Sequence, residues 1–214
     1  MQGKTEALLI PGPLGNLEAE VFIPSAPSSY LFVMCHPHPL FQGSMDNKVV
    51  TTIIRAMNEL NCVTLRFNYR GVGQSAGSYG EGSGEIADTL AVVTYLRSRF
   101  LAQTHLLLGG FSFGGYVAYH AAIQTAPEAL LLCAPSVVHG DLNTDIEPQG
   151  RMLIIQGAQD EIVPAALVYE WLKTRRHSFT LQQLRETSHF FHGKLMLLRT
   201  LSQNFVREVM DAAL

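Results

Sequence analysis

This chain has few charges, few cysteines and a single tryptophan. Only 15% of its 214 residues are Asp, Glu, Lys or Arg, and they nearly cancel to a formal net charge of -3. That balance leaves no basic footprint for nucleic acid; Lys and Arg are dispersed apart from a small cluster at Lys173, Arg175 and Arg176. Three cysteines are an odd count. Cys35 and Cys133 fall at or near the ends of expected strands and Cys62 near the start of one, a pattern of reduced thiols rather than of a disulfide framework. No apolar run approaches the length of a membrane span, and the opening MQGKTE lacks the apolar core of a signal peptide. Repeats, low-complexity tracts and linker-like stretches are also missing. These absences predict a cytoplasmic protein, monomer or homodimer, with no nucleic-acid or membrane partner, folded as one domain over residues 1–214.

What is present is apolar patterning. A hydrophobic content of 47% over this length is enough to bury a substantial core. Ala7–Ile10 and Leu17–Ile23 read as strands joined by a turn too short for a crossover, hence antiparallel. Tyr30–Cys35 is a continuous apolar run, as a buried parallel strand requires. Asn47–Leu60 is predicted helical, with Val50, Ile53, Ile54, Met57 and Leu60 on one face. Cys62–Phe67 is the next strand, and Gly71–Gly84 a loop rich in glycine and serine. A helix over Ile86–Phe100, a strand over Leu106–Phe111 and a helix after Ser112 follow. Ala129–Ala134 and Met152–Gln156 are further strands. Pro164–Arg175 is a helix with proline in its first turn, Phe179–Leu184 the last strand and Lys194–Met210 the closing helix. Strands alternating with helices predict a mostly parallel sheet covered on both faces, an α/β architecture. Residues 136–150 are the one polar interruption, a small lid at most.

The chemistry begins at Gly110-Phe111-Ser112-Phe113-Gly114, which fits G-x-S-x-G between an apolar strand and a helix. In that setting the serine tips a strained strand-to-helix turn with its hydroxyl held away from the sheet, while the glycines spare collisions with neighbouring backbone. The alternative is a tight turn whose serine merely caps the helix.

A serine nucleophile needs a positioned base, and a histidine base needs a carboxylate to fix its tautomer. In elbow-type sites the partners follow in the order Ser, Asp or Glu, His. Asp160 lies in the loop after the strand Met152–Gln156, and two histidines, His189 and His192, lie in the loop after the last strand. Parallel sheets gather such loops at one edge. His189, followed directly by two apolar rings, is the expected base and His192 the second choice. Asp160 as a turn residue, and each histidine as a loop residue with one hydrogen bond, are the bland alternatives.

A developing oxyanion needs two donors. The first is the backbone N–H of Phe113. The second comes from the loop His36-Pro37-His38-Pro39-Leu40, where neither proline has an N–H; His38 is the choice and Leu40 the alternative. Phe41, Tyr116 and Phe190 are candidate pocket residues, although core packing explains such side chains equally well.

The stretches CHPHPLFQGSMDNK (35–48), FNYRGVGQS (67–75) and GFSFGG (110–115), with Asp160 in GAQD and His189 in SHFF, resemble a compact bacterial branch of the α/β-hydrolase superfamily, near dienelactone-hydrolase-like and serine-esterase proteins. The resemblance spans nearly the whole chain. It implies the α/β-hydrolase fold with an eight-stranded sheet, a Ser112–Asp160–His189 triad, and carboxylester hydrolysis. The short 136–150 segment argues for an open site and small or short-acyl esters, and nothing in the sequence indicates a cofactor. Dienelactone hydrolases proper use cysteine where this chain has serine, which weakens transfer of their substrate.

Four competing readings remain. Gly71-Val72-Gly73-Gln74-Ser75-Ala76 imitates a dinucleotide fingerprint, but the helix comes too late and the acidic residue is missing. It reads instead as a loop beside the site, anchored by Arg70. His36, His38, His189 and His192 with Asp160 would be the ligands of a metallohydrolase. A thioesterase would share the triad, and a hydrolase fold reused for binding would lack turnover.

Overall fold

The computed structural model describes residues 2–100, 105–139 and 146–212. Eight strands form one sheet: β1 Gly3–Gly12, β2 Gly15–Pro24, β3 Tyr30–Cys35, β4 Val63–Phe67, β5 His105–Phe111, β6 Ala129–Cys133, β7 Arg151–Gly157 and β8 Phe179–Leu184, in the order β1-β2-β4-β3-β5-β6-β7-β8. The β1–β2 and β2–β4 pairs are antiparallel and all other pairs are parallel. The hairpin is longer than the apolar pattern indicates. Its ladder runs out to Gly12 opposite Gly15, because paired backbone needs no apolar side chains.

Five helices cover the sheet: α1 Lys48–Glu59, α2 Ser83–Arg99, α3 Phe113–Thr125, α4 Ala165–Lys173 and α5 Leu195–Ala212. Period-two alternation along the central strands divides the core. Leu31, Val33 and Cys35 of β3 face the layer of α2, α3 and α4, where Val93, Val117 and Trp171 pack. Phe32 and Met34 face α1 and α5, where Ile53 and Phe205 pack. The three cysteines are buried free thiols.

α1 and α5 each start one residue later than the sequence pattern, at Lys48 and Leu195, and the starts of α2 and α4 differ for visible reasons. α2 begins at Ser83, before Ile86, because the Glu85 carboxylate accepts the N–H groups of Gly80 and Gly82, each at 2.8 Å, and so pins the turn that enters the helix. Pro164 lies just outside α4 rather than in its first turn; at ψ 124° it is extended, and the helix starts one residue later.

The loop 71–82 is anchored as its arginine predicts. Arg70 donates through Nε and Nη2 to the two oxygens of Asp88 at 3.0 and 2.7 Å, and its backbone N–H also reaches Asp88. Asp88 is completely buried.

Candidate active site

The turn after β5 carries the site. Ser112 sits at φ 57°, ψ -119°, a region that non-glycine residues rarely occupy. Surrounding hydrogen bonds impose it: Ser112 N–H donates to Cys133 O at 2.9 Å, and its carbonyl accepts from Gly115 at 2.8 Å and Ser136 at 3.0 Å. The flanking glycines are steric necessities. A Cβ on Gly110 would lie 2.0 Å from Gly114 O, and one on Gly114 would lie 2.3 Å from Cys35 O.

His189 stands over the serine, its Nε2 3.0 Å from Ser112 Oγ. On its other side Nδ1 lies 2.8 and 3.0 Å from the two oxygens of Asp160. An ionised carboxylate only accepts, so His189 carries its proton on Nδ1, leaving Nε2 to accept from the serine hydroxyl. Asp160 is held in turn by the N–H groups of Ile162 and Val163 and by Gln156 Nε2 at 3.0 Å. The His189 backbone N–H donates to Glu161 at 3.2 Å. Phe190 packs edge-on against the His189 imidazole, and Phe191 turns into the core beside Phe111. Strand order makes this convergence possible, since β5, β7 and β8 all end at the same sheet edge.

His192 is exposed and stacks on Phe190, away from Ser112 and Asp160. His36 is fully buried. Its Nε2 accepts from Tyr69 N–H at 3.1 Å and its Nδ1 donates to Pro37 O at 2.6 Å. Desolvation lowers its pKa from the usual 6.5 to about 3. His36 therefore ties the loop after β3 to the loop after β4. The set His36, His38, His189, His192 and Asp160 is not brought together, and among the described residues no group of three such side chains could hold a metal ion.

An open cleft of about 430 Å³ leads to Ser112 and His189. Phe113 and His38 both line it, and neither backbone N–H has a partner among the described residues. Leu40 N–H, in contrast, is taken up by His38 Nδ1 at 3.3 Å, inside the 3-10 turn Pro39–Phe41. Phe41 and Phe190 line the cleft. Tyr116 does not: it lies one helical turn behind Phe113 on the same face of α3, its ring stacked at 6.1 Å on the Phe113 ring.

Sequence reasoning passed over Gln156, His139 and Tyr79. Gln156 ends an apolar strand and reads as its polar terminus. His139 lines the cleft, and Tyr79 meets His139 and His38 from a loop far away in sequence, so no local pattern marks them. Ser136, Val138 and His139, from the 136–150 segment, line the cleft, while residues 140–145 of that segment lie outside the described residues.

The doubly covered sheet with a serine at its β5–α3 turn defines an α/β serine hydrolase, and the relatives agree. The chain is similar to XC6422 of Xanthomonas campestris, an α/β serine hydrolase described as lacking a lid, at 42% identity and TM-score 0.91 over 96% of this chain and 94% of that one. An α/β serine hydrolase homologue from Coxiella burnetii matches at 38% identity and TM-score 0.89, covering 93% and 96% of the two chains. Uncharacterized protein RP471 of Rickettsia prowazekii (strain Madrid E) is 38% identical over 160 residues; the match covers 72% of this chain and 66% of that relative. Residues 46–212 match the Hydrolase_4 model, described as serine aminopeptidase, S33, and the chain belongs to this family.

Proposed function

We propose that the chain hydrolyses small or short-acyl carboxylic esters through an acyl-enzyme on Ser112, with His189 as base and Asp160 as its orienting carboxylate. The observation that carries this reading is the unbroken hydrogen-bonded series Ser112 Oγ, His189 and Asp160 at the wall of an open cleft. Ser112 Oγ bonds to the ester carbonyl carbon as its proton passes to His189 Nε2, and the carbonyl π pair moves to oxygen. The N–H groups of Phe113 and His38 receive that oxyanion; the engaged N–H of Leu40 favours His38 over it. Collapse expels the alkoxide, which takes the proton from His189. Water, deprotonated by the same histidine, then releases the acid and restores Ser112.

The family's description raises peptide substrates with a free amino terminus. Recognition of an α-ammonium calls for a carboxylate in the cleft, and among the described residues none lines it. The short 136–150 segment and the lidless relative favour an open site for small esters. Three unpaired buried thiols suit the reducing cytoplasm, and the chain is proposed to act there as one α/β-hydrolase domain.

The test is labelling by a fluorophosphonate together with turnover of p-nitrophenyl esters of rising chain length, acyl-CoA thioesters and aminoacyl p-nitroanilides. Labelling lost in Ser112→Ala and fastest turnover of short p-nitrophenyl esters support the proposal. Fastest turnover of the thioesters or the anilides moves the substrate class, and wild-type activity in Ser112→Ala rejects the mechanism.

A further inference from the structure

Tyr79 Oη lies between two imidazoles, 3.2 Å from His38 Nε2 and 3.3 Å from His139 Nε2. The loop 71–82 delivers it, fixed just beyond by the Gly80 and Gly82 N–H groups on buried Glu85. Both imidazoles line the cleft beside Ser112. Burial pushes both below the usual histidine value, and His139 lowers His38 further, so both rings are neutral near neutral pH.

Neutrality makes the proton positions deducible. His38 Nδ1 accepts from Leu40 N–H, so the His38 proton is on Nε2 and points at Tyr79 Oη. A phenol has one proton to give, and Tyr79, already accepting from His38, gives it to His139 Nε2. His139 is thereby left with its proton on Nδ1. No described residue accepts from that nitrogen.

The side of the cleft follows from the neighbours of His139. Its ring lies 5.3 Å from His38 and 4.7 Å from Phe113, the two residues whose N–H groups are proposed to hold the oxyanion. The leaving group must instead sit at His189, which protonates it. His139 thus borders the acyl half of a bound ester.

Resting on the esterase reading, we infer that the His38–Tyr79–His139 relay fixes His139 as an Nδ1–H donor and that the enzyme selects esters whose acyl group carries an acceptor oxygen close to the reacting carbonyl. A fixed donor discriminates because an acyl chain without the oxygen strands it unpaired.

Two measurements test this. Long-range proton–nitrogen correlation spectra of the full chain, at about pH 8 where neutral imidazole dominates, should show Nε2–H at His38 and Nδ1–H at His139. In Tyr79→Phe, His139 should shift toward the Nε2–H form. The second reads the ratio of kcat/KM for p-nitrophenyl methoxyacetate to that for p-nitrophenyl butyrate, which cancels general losses. Compared with wild type it should fall about fivefold in His139→Phe, the worth of one neutral hydrogen bond, and less in Tyr79→Phe, with both variants melting cooperatively. An unchanged ratio in a cooperatively melting His139→Phe overturns the inference while leaving the esterase reading intact. If the wild type turns over neither ester, the esterase reading fails; the substrate part of the inference falls with it, whatever tautomer the spectra show. An Nε2–H tautomer at His139 overturns the relay by itself.

Discussion

Gln156 Nε2 donates to Asp160 Oδ2 at 3.0 Å from a side chain that no solvent reaches. The same amide also bonds Val163 O, tying the end of β7 to the turn that aims Asp160 at His189. Its Oε1 has no partner among the described residues. On the proposed mechanism, we expect Gln156→Leu to lower kcat about tenfold, by loosening the carboxylate proposed to orient the base. Thermal stability should change little, because the substitution also removes a buried unpaired acceptor. Ester kinetics beside a melting curve check both halves.

On the proposed mechanism, Ser112→Ala and His189→Ala each reduce kcat by several orders of magnitude, and Asp160→Asn by less, since the base survives with its orientation impaired. Steady-state ester hydrolysis with active-site titration gives the comparison. A decline in Asp160→Asn as deep as that in Ser112→Ala would contradict these roles.

The backbone at Ser112 offers a test independent of activity. Positive φ with ψ -119° strains any side chain with a Cβ. Ser112→Gly should therefore be more stable than Ser112→Ala by about 1 kcal/mol, although both are inactive. Urea unfolding of the two inactive variants measures the difference.

Gly114→Ala should compromise folding. The added methyl would meet Cys35 O at 2.3 Å and His36 O at 2.5 Å, and neither backbone atom can yield without shifting β3. Overpacking of this kind costs about 1–3 kcal/mol or more. Soluble yield and melting temperature read it directly.

Acid should destabilise the fold through His36. In the unfolded chain this imidazole binds a proton near the usual 6.5, whereas in the folded protein it does so only at about 3. Below 6.5 the unfolded state holds the extra proton, so stability falls as pH drops through that window, at a limit of about 1.4 kcal/mol per pH unit. His38 and His139, also shifted down, act in the same direction. Urea unfolding at several pH values between about 7.5 and 5 should show the decline, and His36→Gln should flatten it by about one proton.

Much of the architecture was legible because it depends on local pattern. Continuous apolar runs marked β3, β5, β6 and β7 as buried strands, and the short connection 11–16 marked an antiparallel hairpin, whose ladder leaves only Pro13 and Leu14 unpaired. Ser112, Asp160 and His189 stood out because each follows a strand and the three come in a recognisable order. Tyr116 is a pocket candidate in sequence because an aromatic near the elbow looks the same whether it lines the cleft or backs Phe113; it shares the helix face of Phe113 and lies one turn deeper, which no apolar pattern distinguishes. Glu85 shows the converse limit. Its carboxylate sets where α2 begins by reaching back to Gly80, five residues away, and an apolar-periodicity reading starts the helix too late.

The hydrogen bonds around the Ser112 carbonyl bear on how the enzyme can adapt. With its N–H held by Cys133 and its carbonyl held by Gly115 and Ser136, the serine backbone is clamped from three directions. One soft motion remains to it, rotation of the hydroxymethyl group about the Cα–Cβ bond. On the proposed mechanism, accommodation of differently shaped acyl groups then falls to the exposed side chains that line the cleft, Phe41, Val138 and Ile162, rather than to Ser112. Exchanging these three should redirect selectivity while the geometry at Ser112 stays as it is.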